Sequence, residues 1–241
     1  MKVFSYMEKG VGKSASEDTI LVGDQMLKEG FYILEEEFSC VAVADGVGGN
    51  AGGRDASEFV VSSFKEIRED DLITAARKIN SELIAYAKGI PQKENMATTF
   101  SGIFFSSSLP YKVLHVGNTR VSAIQGAYLK QLTTDHTTVE WLRSQGMDEA
   151  AEHAPGNEIT ACFGSGNPAR LQQLTATDID REFYGYILTS DGIHDYLEIE
   201  DMEDFVDAKD FSQEAFSALA QKAAKNGSTD DKSMILVCMR G

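Results

Sequence analysis

The pattern of hydrophobic and polar positions begins with a strand-like run that is followed by two helix-like segments. Residues 39–45, SCVAVAD, are short, apolar and β-branched, which is typical of a strand buried on both faces. The apolar residues of 53–67 and 71–89 recur at helical spacing instead, and Gly89 and Pro91 are expected to end the second helix. The sequence therefore predicts one buried strand and then two consecutive helices.

The stretch that follows has the features of β-structure. Segments 98–107, 111–126 and 127–133 are apolar and β-branched, and they are separated by Ser-Leu-Pro and Gln-Gly turns, with a Gly-Asn turn inside the second segment. This pattern predicts an antiparallel meander and not a chain of βαβ units.

The patterning then weakens over 133–171, where we expect a short helix, a loop and a glycine-serine bend. We expect 137–168 to form a flap on the surface. Strand and helix patterns resume with a strand in 181–192, a helix at 212–227 and a closing strand at 233–241.

Mostly antiparallel strands with helices grouped in pairs predict an α+β fold. Such a chain can pack two sheets face to face and cover them with helices, which gives a four-layer α-β-β-α sandwich. The apolar runs are spread evenly along the 241 residues, so we expect one domain over 1–241.

Charge narrows the range of partners. The chain carries 22 basic and 38 acidic residues, a formal net charge of −16, so nucleic-acid phosphates and anionic membranes would be repelled by most of its surface. Neither is an expected partner. The first 13 residues lack the apolar core of a signal peptide, and no apolar run approaches the ~20 residues that cross a bilayer. We expect a cytoplasmic protein.

Two other residue types carry no clear site. The three cysteines are far apart and form no CxxC pair, so buried thiols are expected at Cys40, Cys162 and Cys238 and no zinc site. The histidines form no recognisable constellation. His115 is expected in a strand, and the other three are expected in loops or at the surface, namely His136, His153 and His194.

Four aspartates occupy the ends of apolar runs. They are Asp18, Asp45, Asp191 and Asp230. Each Asp-Gly taken singly is a common turn dipeptide, but sheet packing tends to bring the ends of neighbouring strands together. Two carboxylates ~4 Å apart repel by roughly 4 kcal/mol at an effective dielectric constant of about 20, so a convergent group requires a cation. With only oxygen ligands, Mg²⁺ or Mn²⁺ suits such a group best.

The glycines after Asp45 allow two interpretations. Gly46, Gly48 and Ala51 spell the G-x-G-x-x-A of a dinucleotide loop, but the downstream meander lacks the βαβαβ half that such a loop serves. Alternatively, Gly46 lets its own carbonyl approach an ion, while Gly48 and Gly49 leave room for a phosphorylated substrate.

Seven motifs, in order, carry a family resemblance. They are SED (16–18), ADGVGG (44–49), TTF (98–100), VGNTR (116–120), LTTDHT (132–137), TSDG (189–192) and STDDKSMILV (228–237). This set resembles the metal-dependent type 2C serine/threonine protein phosphatases, or PPM family, in their compact bacterial form. The resemblance covers almost the whole chain.

The resemblance implies a fold, a reaction and a set of site residues. It implies an α-β-β-α sandwich with two Mn²⁺ or Mg²⁺ ions, in which Asp45 bridges both ions and the Gly46 carbonyl binds one. Asp191 and Asp230 would complete the ligand set of the other ion, and Asp18 with Glu17 would contact the ions mostly through metal-bound water. The reaction implied is hydrolysis of phosphoserine or phosphothreonine in proteins by a water or hydroxide that bridges the two ions. Phosphorylated proteins, and a serine/threonine kinase, are the implied partners.

The chain departs from the family pattern at several site positions. Lys13 stands where an arginine usually grips the substrate phosphate, and it completes our catalytic set of Asp45, Asp191, Asp230 and Lys13. Asn118 replaces an aspartate, which argues against a third ion. Two further changes are Asp231 in place of an asparagine and Val47 in place of a histidine that some relatives carry. An alternative function therefore stays open, that of a catalytically weak, phosphatase-like regulatory or binding module.

Overall fold

The computed structural model describes residues 1–47, 52–67, 71–108, 110–179 and 181–239. Gly48, Gly49 and Ala51, on which part of the glycine-loop interpretation depends, lie outside the described residues. Every strand pairing within these ranges is antiparallel.

One six-stranded sheet contains, in chain order, β1 (Lys2–Glu8), β4 (Gly30–Glu35), β9 (Arg120–Gln125), β10 (Tyr128–Gln131), β13 (Gly185–Thr189) and β14 (Lys232–Cys238). Its strand order is β10-β9-β13-β14-β1-β4. We call it the first sheet.

The second sheet has the order β12-β8-β7-β5-β2-β3. Its strands are β2 (Thr19–Val22), β3 (Gln25–Leu27), β5 (Cys40–Ala44), β7 (Phe100–Phe104), β8 (Tyr111–Val116) and β12 (Thr175–Ile179). A separate two-stranded ribbon pairs β6 (Ala97–Thr98) with β11 (Phe163–Gly164).

Helices α1 (Gly53–Phe64) and α2 (Leu72–Lys88) cover the outer face of the second sheet, and α6 (Ile199–Ala208) and α7 (Gln213–Lys225) cover that of the first. The other helices are α3 (Thr138–Ser144) and α4 (Asp148–His153), which pack against each other, and α5 (Asp191–His194), with a 3₁₀ turn at Pro168–Leu171. None of the helices in the described ranges combines the length and apolar character that a bilayer crossing needs.

Three layers of buried side chains separate the four layers of backbone. Val41 and Val43 of β5 pack with Ile235 and Val237 of β14 between the two sheets. The alternate residues of β5, including Ala42, pack under α1 and α2, and those of β14 pack under α6 and α7. Successive side chains of a strand point to opposite faces, which explains why these runs are apolar throughout. The predicted α-β-β-α sandwich is confirmed.

The predicted strand at 39–45 and the helices at 53–67, 71–89 and 212–227 are confirmed as β5, α1, α2 and α7. Among the elements that the pattern did not predict are α6 and β1, although β1 lies inside the first sheet.

The predicted meander is wrong at its Gly-Asn turn. Strands β7 and β8 form a hairpin in the second sheet, whereas β9 and β10 form one in the first. Residues 117–119 carry the chain from one sheet to the other. Gly117 has a φ of 106°, and an added Cβ would lie 2.5 Å from the Cβ of Thr99, so this crossing needs glycine.

The region 137–168 contains two short helices, α3 and α4, where the sequence predicts one. Its far end is not on the surface, because residues 161–164 are buried and Phe163 packs beneath α1 and α2. The hydrogen bond from the Gly164 N–H to Asn80 Oδ1, 2.7 Å, ties this end to α2.

The remaining expectations have mixed outcomes. Cys40 and Cys162 are buried and Cys238 is half-buried. His115 lies in β8, and His136 lies in the loop between β10 and α3, where it is buried. The expectation for His194 is wrong, since it lies in α5 with its side chain only 6% exposed.

Candidate active site

Strand pairing brings the acidic strand ends together two by two. Thr19 of β2 pairs with Ala44 of β5, so Asp18, just before β2, lies beside Asp45, just after β5. In the other sheet Thr189 of β13 pairs with Met234 of β14. The end of β13 therefore lies beside the start of β14. This places Asp191, just after β13, near Asp230, just before β14. Antiparallel pairing thus produces two acidic corners, one in each sheet.

The stacking of the sheets joins these two corners. Ser233 of β14 donates a hydrogen bond of 2.6 Å from Oγ to Oδ2 of Asp18 across the sandwich. The carboxyl groups of Asp45 and Asp191 lie within hydrogen-bonding reach of each other. The structure therefore gathers Asp18, Asp45, Asp191 and Asp230 into one cluster, which we call the carboxylate cluster.

The backbone of Asp45 is fixed by two threonines of the TTF motif. Thr99 N–H and Thr98 Oγ1 both donate to the Asp45 carbonyl, at 2.9 and 2.8 Å, and the Asp45 N–H donates to Thr99 Oγ1 at 3.0 Å. Gly46 follows in a tight contact, because an added Cβ would lie 2.5 Å from the carbonyl carbon of Gly53 and 2.8 Å from the Glu17 oxygen. Only glycine fits at this position.

The pKa values of the cluster show how unfavourable its negative charge is. Burial, and then the charges of Asp231 and Asp191, raise the pKa of Asp18 to about 8. Burial and the neighbouring carboxylates hold the pKa of Asp45 well above its usual range. The pKa of Asp191 is also raised, first by burial and then by the charge of Asp230. Without a cation the cluster keeps protons that isolated aspartates would lose.

Asn118, on the crossing between the sheets, contacts this cluster directly. Its Nδ2 donates to Asp191 Oδ2 at 2.8 Å, and its side chain is buried. The sequence marked Asn118 only as a departure from the family pattern. The structure shows it as a hydrogen-bond donor that orients one cluster carboxylate.

Lys13 lies against carboxylates as well. Its Nζ is 2.7 Å from Asp230 Oδ1, 2.8 Å from Asp231 Oδ2 and 3.1 Å from Glu17 Oε2. Burial alone would lower the pKa of Lys13, but its hydrogen bonds to Asp230 and Asp231 raise it. The role of Lys13 as a phosphate contact stays a prediction.

The donor set of the cluster fits a hard divalent cation. Two of its buried oxygens, Asp18 Oδ1 and Asp191 Oδ1, and the neighbouring Asn118 Oδ1 have no hydrogen-bond partner within the described part of the chain. Oxygen ligands and concentrated negative charge are what Mg²⁺ and Mn²⁺ prefer. Within the same described ranges, however, no three acidic, histidine or cysteine side chains already stand in a ligand arrangement. Lys13, Asn118 and Ser233 engage them instead.

Comparison with known proteins agrees with this arrangement, although no protein-family model matches the chain. The serine/threonine protein phosphatase PstP of Mycobacterium tuberculosis is 26% identical over an alignment that covers 95% of this chain and 43% of PstP. The chain thus spans less than half the length of that relative. The serine/threonine phosphatase stp of Listeria monocytogenes is 26% identical over an alignment that covers 86% of this chain and 87% of stp.

A solved structure shows that the fold is shared. The crystal structure of the serine/threonine phosphatase Stp1 from Staphylococcus aureus superposes with a TM-score of 0.79 at 22% identity, covering 99% of this chain and 95% of that one. The antiparallel pairing of β2 and β5, from which Asp18 and Asp45 extend, also rules out the parallel sheet of a dinucleotide-binding domain. The resemblance of this chain to the metal-dependent serine/threonine protein phosphatases of the bacterial PPM type is therefore confirmed.

Proposed function

We propose that this chain is a metal-dependent protein phosphatase that hydrolyses phosphoserine and phosphothreonine. The observation that carries the proposal is the convergence of four strand-end aspartates, three of them with raised pKa values, on one corner of the sandwich. The named relatives are serine/threonine protein phosphatases, which supports this reaction class.

In this proposal two divalent cations would be held by Asp45, the Gly46 carbonyl, Asp191 and Asp230. Asp18 would support them from its buried position beside Glu17. When bound, a pair of Mn²⁺ or Mg²⁺ ions supplies Lewis acidity and lowers the pKa of water to near neutrality. Asn118 offers an amide in place of a carboxylate, so a third ion is not part of the proposal.

The protein's own groups then position the reaction. Thr98 and Thr99 hold the Asp45 backbone, and Asn118 fixes one face of the Asp191 carboxylate. The buried Ser233 hydroxyl keeps Asp18 oriented toward the cluster. Preorganised ligands of this kind reduce the reorganisation that a phosphoryl-transfer site needs during reaction.

We also propose that 1–241 acts as one cytoplasmic catalytic domain on phosphorylated proteins, with a serine/threonine kinase as the enzyme that supplies them. Residues 137–168 would form a flap beside the site. The pairing of Phe163 with Thr98, one of the two residues that hold the Asp45 backbone, supports this placement.

The test is hydrolysis of p-nitrophenyl phosphate and of a phosphothreonine peptide with and without Mn²⁺. We expect turnover only with metal, and its loss in Asp45→Asn. The alternative, a regulatory or binding module, is favoured by the Lys13 and Asp231 departures. A wild-type protein that binds Mn²⁺ and the peptide but hydrolyses neither substrate would support that alternative.

A further inference from the structure

A groove of about 360 Å³ adjoins the carboxylate cluster. At one end it is lined by Lys13, whose ammonium contacts Asp230 of the cluster, and by Glu17, which precedes Asp18. It continues to the start of α1 and the loop after α2. Three cationic side chains line it, Lys13, Arg54 and Lys93, together with two carboxylates, Glu17 and Asp55. The lining therefore carries one more positive than negative side chain, in a chain with a net charge of −16.

Carboxylates already neutralise two of the three cations. The ammonium of Lys93 pairs with Asp55 on the groove wall. The ammonium of Lys13 is shared by Asp230, Asp231 and Glu17. An ammonium with three carboxylate neighbours has little remaining attraction for a substrate anion.

The Asp231 carboxylate that contacts Lys13 is buried and is held in place by backbone hydrogen bonds. The Asp231 side chain is only 2% exposed, and it accepts backbone hydrogen bonds from Gly10, at 2.6 Å, and Glu17, at 2.7 Å. Asp231 is not among the expected cation ligands. A metal ion that recruits Asp230 therefore leaves Lys13 beside a buried carboxylate that needs a counter-ion.

Arg54 differs from the other two cations. It is half-buried in the first turn of α1, and its Nε donates a hydrogen bond of 2.8 Å to the Ser16 carbonyl. Within the described residues this is the only hydrogen bond of the Arg54 side chain, and no carboxylate there lies within ion-pair distance of its guanidinium. The guanidinium is thus anchored at one nitrogen, while its terminal nitrogens are available for the two-point contact with an oxyanion that arginine favours.

We infer that Arg54 is the substrate-binding cation of this site and that Lys13 is an internal counter-ion of Asp231. Arg54 receives an oxyanion of the bound phosphoprotein, either the phosphoryl group or an acidic side chain next to it. The inference rests on the proposed function for the identity of the substrate, and it replaces Lys13 with Arg54 as the group that holds it.

Binding measured separately from hydrolysis tests this inference. In an Asp45→Asn background we would measure affinity for a labelled phosphothreonine peptide by fluorescence anisotropy, adding Arg54→Gln or Arg77→Gln. Arg77 is an exposed arginine of α2 outside the groove, and its removal changes the net charge equally. We expect Arg54→Gln to weaken binding about tenfold and Arg77→Gln to have less than a twofold effect.

KM measured for three substrates, with Arg54→Gln as the only substitution, distinguishes the phosphoryl group from the flanking acidic side chain as the ligand of Arg54. If Arg54→Gln raises KM for p-nitrophenyl phosphate and for peptides with and without a flanking glutamate, the phosphoryl group is the ligand. If KM rises only for the glutamate-containing peptide, the flanking side chain is the ligand. Either result supports the inference.

The Lys13→Gln/Asp231→Asn double variant completes the test. It removes Lys13 without leaving Asp231 charged, and we expect its peptide affinity to stay within about threefold of the parent. Equal affinities of Arg54→Gln and Arg77→Gln, or a tenfold loss in the double variant with none in Arg54→Gln, would overturn the inference. Absent hydrolysis by the wild type would count against the proposed function alone, because the anisotropy arms do not depend on turnover.

Discussion

Lys13 Nζ lies 2.8 Å from Oδ2 of Asp231, a residue 218 positions later in the chain. This ion pair joins the segment before β2 to the start of β14, and so links the two sheets at the corner where the carboxylates converge. Both residues depart from the family pattern. Lys13 keeps the positive charge of the arginine that it replaces, and the structure shows that this charge compensates the negative charge that Asp231 adds.

The compensation predicts a coupling between the two positions. Lys13→Gln should lower the free energy of unfolding by about 2–3 kcal/mol, because it leaves a buried carboxylate without its cation. Adding Asp231→Asn should recover most of that loss in urea unfolding. The control is Lys112→Gln, which breaks the exposed ion pair of Lys112 with Asp178 and should cost less than about 1 kcal/mol. Additive losses in the double variant would show that the two residues are independent.

Asp45 should lower the stability of the metal-free protein. The pKa of Asp18, about 8, is raised above its ordinary value of 3.8, so the folded state binds this proton more tightly than the unfolded state does. The free energy of unfolding of chelator-treated protein should therefore fall as pH rises from about 4 through about 8. Asp45 adds to this cost, because its carboxyl group must either hold a proton or stay charged beside Asp18 and Asp191. Asp45→Asn replaces it with a neutral amide and should stabilise the metal-free protein at pH 8 by about 1–2 kcal/mol.

Urea unfolding at pH 6 and pH 8, with and without Mn²⁺, checks this prediction. Mn²⁺ should stabilise the wild type but not Asp45→Asn. A variant that is less stable than the wild type at both pH values without metal would show that Asp45 has a mainly structural role.

His115 should lower the stability of the protein as pH falls, whereas Asp18 lowers it as pH rises. Burial lowers the pKa of His115 to about 4. Both ring nitrogens have hydrogen-bond partners, since Nδ1 lies 2.8 Å from Ser101 Oγ and Nε2 lies 2.9 Å from the Thr134 carbonyl oxygen. The unfolded chain takes up this proton near pH 6.5, so stability is lost as pH falls from about 6.5 toward 4. The contribution amounts to about 2 kcal/mol between pH 7 and pH 5.

Unfolding measured at these two pH values in wild type and in His115→Gln isolates that contribution. Only the pH-dependent difference matters, so a lower baseline stability of the variant does not affect the comparison. An identical loss in both proteins would assign the acid sensitivity to other groups.

Gly46 should tolerate no side chain. Its added Cβ would overlap the backbone at Gly53 and Glu17, neither of which can move without shifting α1 or the segment before β2. We expect Gly46→Ala to cost about 3 kcal/mol and to weaken Mn²⁺ binding. Gly156→Ala is the matched control, since nothing lies within 4 Å of a Cβ built there. Equal melting temperatures for the two variants would contradict the close approach at Gly46.

The fold was predictable to the extent that local patterning determined it. Apolar runs such as 39–45 and the helical spacing of 53–67 are satisfied within single elements, so they identify β5 and α1. The Gly-Asn turn at 117–118 misled the interpretation, because a turn-forming dipeptide does not specify whether the next strand pairs with the last or joins another sheet.

The site, too, was predictable only in part. The strand-end positions of Asp18, Asp45, Asp191 and Asp230 are visible in the sequence, and the family resemblance gives them an order. The partners that tune them come from tertiary contacts, as when Ser233 reaches Asp18 or Arg54 is anchored on Ser16. No spacing in the sequence encodes those distances, so the role of Arg54 was not predicted.

The most direct test of the central claim is an anomalous difference map from crystals of the protein soaked in Mn²⁺. The account predicts two peaks at the carboxylate cluster, both beside Asp45, with Asp191 and Asp230 contacting one of them. Mn²⁺ peaks only at other acidic surfaces, or a cluster without any peak at saturating metal, would contradict it.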